Sequence, residues 1–160
     1  MLKPVYIAII FLFFFNSACS DSKQEIENRL LASTDAEESA EYARKAREMG
    51  PEGLHIFNEV ISSSIVKQDN LNYYAKLMLS LNNLHAMALE GVYSDESIPI
   101  LLNVLERQRS ITDSLITAEI LEIITGMDVG YDLEFVNSYT PSDESKRQEM
   151  IFKWKSFVRG

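Results

Sequence analysis

The sequence predicts an all-α chain, built as a short α-solenoid of antiparallel helix pairs. Three observations carry this. From about residue 25 onward, apolar residues recur at helical spacing, and no strand-like alternation interrupts them. Capping residues, glycines and prolines divide that pattern into helices of ordinary length. Two of the apolar stripes also align with each other at an offset of 44 residues.

The N-terminal segment stands apart. Lys3 supplies a positive start, and Val5 to Phe15, "VYIAIIFLFFF", is an uncharged apolar run of 11 residues. A membrane-spanning helix needs about 20 such residues, so the run fits the core of a signal peptide instead. The expected division is therefore a signal peptide at 1–18, a modified cysteine with its tether at 19–24, and a helical domain at 25–160.

Within that domain, Thr34-Asp35-Ala36-Glu37 reads as a capping box, with Thr34 as the cap. The charged, Ala-rich helix it opens is stopped by Gly50-Pro51. Leu54, Phe57, Val60 and Ile61 stripe the next helix. Tyr74, Leu77, Met78, Leu81, Leu84 and Met87 stripe a longer one that ends at Gly91. Ser94 and Asp95 open a helix carrying Ile98, Leu101, Leu102 and Leu105. Asp113 is expected to cap the following one, which Gly126 stops. A last helix follows Thr140-Pro141 and carries Met150, Ile151, Trp154 and Phe157.

The repeat pairs "LHIFNEVI" at 54–61 with "IPILLNVL" at 98–105, each copy being followed by a second apolar helix. Its period lies near the roughly 40–47 residues of HEAT and armadillo repeats rather than the 34 of tetratricopeptides. The segment "LEIITGMDVGYDLEFVNSY" with "FKWKSFV" resembles the closing segment of bacterial HEAT-like repeat proteins. The resemblance spans about residues 98–158 and rests on Ile124-Thr125-Gly126, Asp128, Gly130-Tyr131-Asp132, Phe135 and Trp154. Phe135 stands where that family more often has Trp, and Val129 where it often has Phe. It implies a structural cap rather than an active site. Gly126 and Gly130 give tight turns, Asp132 caps the next turn, and Tyr131, Phe135 and Trp154 seal the open end of a helical stack.

A second resemblance concerns the leader. Ser17-Ala18-Cys19 is similar to the end of a bacterial lipobox, with Asn16 in place of the usual apolar residue. The resemblance implies that Cys19 is lipidated and becomes the mature N-terminus, carrying diacylglycerol and usually a further acyl chain such as palmitate. The expected location is the cell envelope of a Gram-negative bacterium. Ser20 after the cysteine implies the outer membrane.

Composition narrows the function. A net charge of −9, falling to −10 once Lys3 leaves with the leader, repels phosphate backbones and argues against nucleic-acid binding. The single cysteine rules out an internal disulfide. Ser64 and Lys67 match an S-x-x-K pattern, but the partner motifs of penicillin-recognising enzymes are missing. His55 and Glu59 share a helix face without completing a metal set, and His85 lies a helix away. Asp128, Asp132 and Glu134 lack calcium-loop spacing, so turn and capping roles are expected. Glu119 and Glu122 read as a solvated face. Lys146, Arg147, Lys153, Lys155 and Arg159 make the last helix basic, a surface for anionic lipid or an acidic partner if it is not simply favourable charge at a helix end.

No catalytic residues, metal or cofactor are expected. The functional expectation is an envelope lipoprotein acting as a non-catalytic protein-binding scaffold, anchored to the membrane by its lipid, with the first helices of the pairs and the exposed aromatics Tyr73 and Tyr74 as the places to look for a protein partner. The alternative is a soluble periplasmic inhibitor or immunity-type helical protein.

Overall fold

The computed structural model describes residues 21–67, 70–107 and 110–157, and caps and glycines cut these described residues into eight α-helices. They are α1 (Lys23–Ala32), α2 (Ala36–Glu48), α3 (Pro51–Val66), α4 (Leu71–Leu89), α5 (Ile98–Arg107), α6 (Ile111–Thr125), α7 (Leu133–Ser138) and α8 (Glu144–Phe157). Short 3-10 turns at Asp95–Ser97 and Pro141–Asp143 lead into α5 and α8, and no strand occurs among the described residues. The all-helical reading holds. The leader, Cys19 and Arg159 lie outside the described residues.

The caps partly differ from those read in the sequence. Ser22 caps α1, accepting from the Glu25 amide at 3.2 Å, so the helix begins inside the stretch assigned to the tether. Asp35, not Thr34, caps α2 and accepts from the Glu38 amide at 2.8 Å. The shift by one residue puts Glu38 where the Ser33 hydroxyl donates to it at 2.8 Å, while Thr34 faces solvent. At α6 the cap is Ser110, and Asp113 is its partner in a reciprocal box: the Asp113 amide donates to Ser110 Oγ at 3.1 Å and the Ser110 amide to Asp113 Oδ1 at 3.3 Å. The stops at Gly50 and Gly126 stand as read, both in left-handed backbone with φ of 60° and 68°.

The helices pack in an alternating order. α1, α3, α5 and α8 touch in succession, as do α2, α4 and α6, and α1–α2, α3–α4 and α5–α6 pack across. α3 lies at the centre, in contact with α1, α2, α4 and α5. Its Ile56, Phe57, Val60 and Ile61 retain no exposed surface, and such burial stabilises by about 1.5–3 kcal/mol per side chain. Four of the five residue pairs at the 44-residue offset are buried in both copies. Leu54, Ile56, Phe57, Val60 and Ile61 are buried, as are Ile98, Leu101, Val104 and Leu105, with Ile100 half-buried. Where α3 meets α2, Gly53 lies against the backbone of Ala46 and Arg47, and its lack of a side chain lets the two backbones approach closely.

Candidate functional site

The C-terminal motif forms a closed aromatic corner. The Gly126 amide donates to Glu122 O at 2.8 Å, ending α6, and Asp128 Oδ1 accepts from the Gly130 amide at 2.7 Å. Gly130 has φ 78°, and Asp132 Oδ1 then caps α7 through the Phe135 amide at 2.8 Å. The Tyr131 ring sits 5.3 Å from Phe135 and 6.3 Å from Trp154, and all three are buried. Trp154 Nε1 donates to Met127 O at 3.1 Å, tying α8 to the turn after α6. Asp128 and Asp132 are thus occupied as turn caps. In this corner the three rings are buried, and Asp128 and Asp132, though exposed, each accept a backbone amide.

The basic run on α8 is not an open patch. Arg147 is only 5% exposed. Its Nε and Nη2 donate to the two Glu144 oxygens at 2.7 and 2.6 Å, and Nη1 to Leu105 O at 3.0 Å, one of the carbonyls left over at the end of α5. Arg147 foremost, with Tyr139 and Gln148, holds the Glu144 carboxyl down to about 2. Lys155 pairs with Glu106 and Lys153 with Glu149, and the Lys146 ammonium lies 5.2 Å over the Phe135 ring. Arg147 and Lys155 join the last helix to α5 and Lys146 joins it to α7, while Lys153 pairs within the helix itself.

Tyr73 and Tyr74 are both half-buried rather than exposed. The Tyr74 hydroxyl meets Ser110 Oγ at 2.8 Å, linking α4 to the cap of α6. Tyr73 is flanked by the ammonium groups of Lys67 and Lys76, 4.9 and 5.3 Å from its ring centre. The other sequence candidates disperse. Ser64 is fully buried while Lys67 is exposed, so no activated hydroxyl faces solvent. His55 and Glu59 are exposed on α3, and His85 pairs with Glu119 at 3.2 Å. Glu122 is half-buried, its carboxyl pushed up first by burial and then by Asp128, so the paired acids are not a uniformly solvated face. Among the described residues no three His, Cys, Asp or Glu side chains gather as metal ligands, and no helix is long and apolar enough to cross a membrane.

The feature that sequence reading missed lies on α2, α4 and α6. Residues 39, 76 and 113, each 37 apart, are Ser39, Lys76 and Asp113, and all are buried. One turn on, at 43, 80 and 117, stand Ala43, Ser80 and Thr117, also buried. This spacing was the available signal, because Lys76, Ser80, Leu84 and Met87 run along one face of α4. Lys76 is the unusual member. It is 6% exposed and donates to Leu31 O at the end of α1. Burial pushes its pKa down, Tyr73 opposes the shift and Lys67 adds to it. Lys76 lines a cleft of about 280 Å³ between the α1–α2 turn and the start of α4, together with Ser33, Asp35, Ser39, Asn72 and Leu79.

Compared with known protein families, curated proteins and solved structures, the chain matches none.

Proposed function

We propose that the chain is an envelope lipoprotein, anchored through Cys19, whose helices form a short HEAT-like solenoid serving as a non-catalytic protein-binding scaffold. The observation that carries the scaffold reading is the alternating contact order: first helices touch first helices and second helices touch second helices. That is the contact pattern expected when helix pairs stack side by side. The matching burial of four of the five residue pairs 44 apart in α3 and α5 supports the same arrangement. The aromatic corner of Tyr131, Phe135 and Trp154 then closes the last pair. The first helices α3 and α5 spend most of their apolar surface inside, so the cleft between α2 and α4 is the concave place for a partner group to enter.

The anchor rests on the apolar leader and the Ser17-Ala18-Cys19 junction. Acyl chains bound there contribute about 0.8 kcal/mol per buried methylene, which makes attachment by two or more chains effectively permanent. The test is the intact mass of protein extracted from its native membrane fraction, wild type beside Cys19→Ala. The expected mass is that of residues 19–160 plus acyl groups, lost in the variant along with membrane association. An unmodified mass in the soluble fraction would refute the anchor and favour a soluble periplasmic inhibitor. Crosslinking at the membrane, wild type beside a cleft variant, then tests the scaffold.

A further inference from the structure

A cation enclosed by protein is costly unless an anion or a full set of acceptors meets it. The two most buried cations among the described residues are handled differently. Arg147 has a carboxylate on two of its nitrogens and a carbonyl on the third. The Lys76 ammonium has three donors to place, and among the described residues it meets one carbonyl, from Leu31, and the flank of Tyr73. No carboxylate of the described residues stands within ion-pair distance of it. Closing the end of α1 explains one donor, not the missing anion.

The surroundings are suited to supplying that anion from outside. Asn72 and Lys76 are one turn apart on the same face of α4, and both line the cleft. The Asn72 side-chain amide is exposed and takes no partner among the described residues. The hydroxyl protons of Ser33 and Ser39 are committed within their own turn, to Glu38 or Asp35 O and to Asp35 O. The side-chain donors left to a ligand are therefore the Lys76 ammonium, the Asn72 amide and, at the rim, the exposed Thr34 hydroxyl, beside the apolar Ala75 and Leu79.

We propose that this cleft binds a carboxylate group, carried by a small acid or by the C-terminus of a peptide, with Lys76 as its counter-ion and Asn72 as its second donor. A phosphate fits poorly. Asp35 lines the same cleft and Glu38 stands beside it, so a dianion meets about twice the repulsion that a monoanion does. A single carboxylate balances Lys76, and a body of a few carbons covers Ala75 and Leu79. Bound carboxylate also reverses the downward push that burial exerts on the Lys76 pKa. The inference does not depend on the fate of Cys19.

The test is an NMR titration of the full chain with sodium butyrate and with a tripeptide bearing a free C-terminal carboxylate, each beside its neutral amide. Resonances of Asn72, Lys76 and the first turn of α2 should shift and saturate with the carboxylates and not with the amides. Whichever carboxylate saturates at the lower concentration identifies the source. Lys76→Met should weaken binding about tenfold to a hundredfold, the usual cost of losing a charged hydrogen bond, and Lys76→Arg should restore part of it. Asn72→Ala, at an exposed position that leaves the core untouched, should weaken it by a smaller factor. The proposal is overturned if neither carboxylate shifts the cleft resonances, if amides bind equally well, or if both Lys76→Met and Asn72→Ala bind like wild type.

Discussion

Gly53 sits in the first turn of α3, against the last turn of α2. A Cβ added there would lie 2.0 Å from Ala46 O and 2.8 Å from Ala46 C, both backbone atoms of α2. The helices would have to part by about 1 Å merely to open that contact to 3.0 Å, and the packing of buried Ala46 would loosen with it. Overpacking of this kind costs about 1–3 kcal/mol, and a rigid backbone neighbour puts Gly53→Ala near the upper end. Against it stands the helix propensity of alanine over glycine, worth up to about 1 kcal/mol. The net expectation is a loss of about 2 kcal/mol, seen as a fall of about 4–8 °C in Tm for a domain of this size. Circular-dichroism melts and urea titrations measure it. Ala40→Gly, at an exposed position in α2, reports the propensity difference alone. The sign is decisive. If Gly53→Ala leaves stability unchanged or raises it, α2 and α3 do not approach this closely and the seam is wrongly described.

Two further outcomes follow from the docking of α8. Glu144 has its folded pKa depressed to about 2 from 4.5, chiefly by Arg147. A depressed carboxylate binds fewer protons when folded, so its stabilisation is present above 4.5 and is lost as pH falls towards 2. Urea midpoints measured across that window should fall more steeply for wild type than for Glu144→Gln, and parallel profiles would show that the carboxylate contributes nothing. Trp154→Phe removes the donor to Met127 O and leaves unfilled volume in the corner. It should cost about 2 kcal/mol, read by circular dichroism because Trp154 is the only tryptophan. A cost within about 0.5 kcal/mol, typical of surface changes, would mean that the corner is not tightly packed.

The helices were legible because local chemistry decides them. Apolar periodicity marks their inner faces, Gly50-Pro51 and Gly126 stop the chain where no L-residue or amide suits, and Ser94 and Asp132 accept first-turn amides. Caps were misplaced where neighbours compete. Thr34 and Asp35 are both capping types, and the choice fell to Asp35 with Ser33, Arg29 and Glu38 satisfying one another around it. The candidate cleft was harder to see. A lysine in a helix reads as solvated, and only the meeting of α1's last carbonyls with α4 encloses Lys76.

What the sequence determined by itself is a set of amphipathic helices, their stops, and an N-terminal apolar run followed by the only cysteine, since each follows from residues near one another along the chain. What the tertiary structure decided is which polar groups go inside. Arg147 and Lys76 are buried because the open carbonyl ends of α5 and α1 need donors, and those ends meet their donors 42 and 45 residues away. Tyr73 and Tyr74, surface aromatics by local pattern, are drawn in by Lys76 and by the cap of α6. Such partners are found only once the helices pack, because the free energy of an unpaired buried donor or acceptor depends on what stands opposite it and not on its neighbours in sequence.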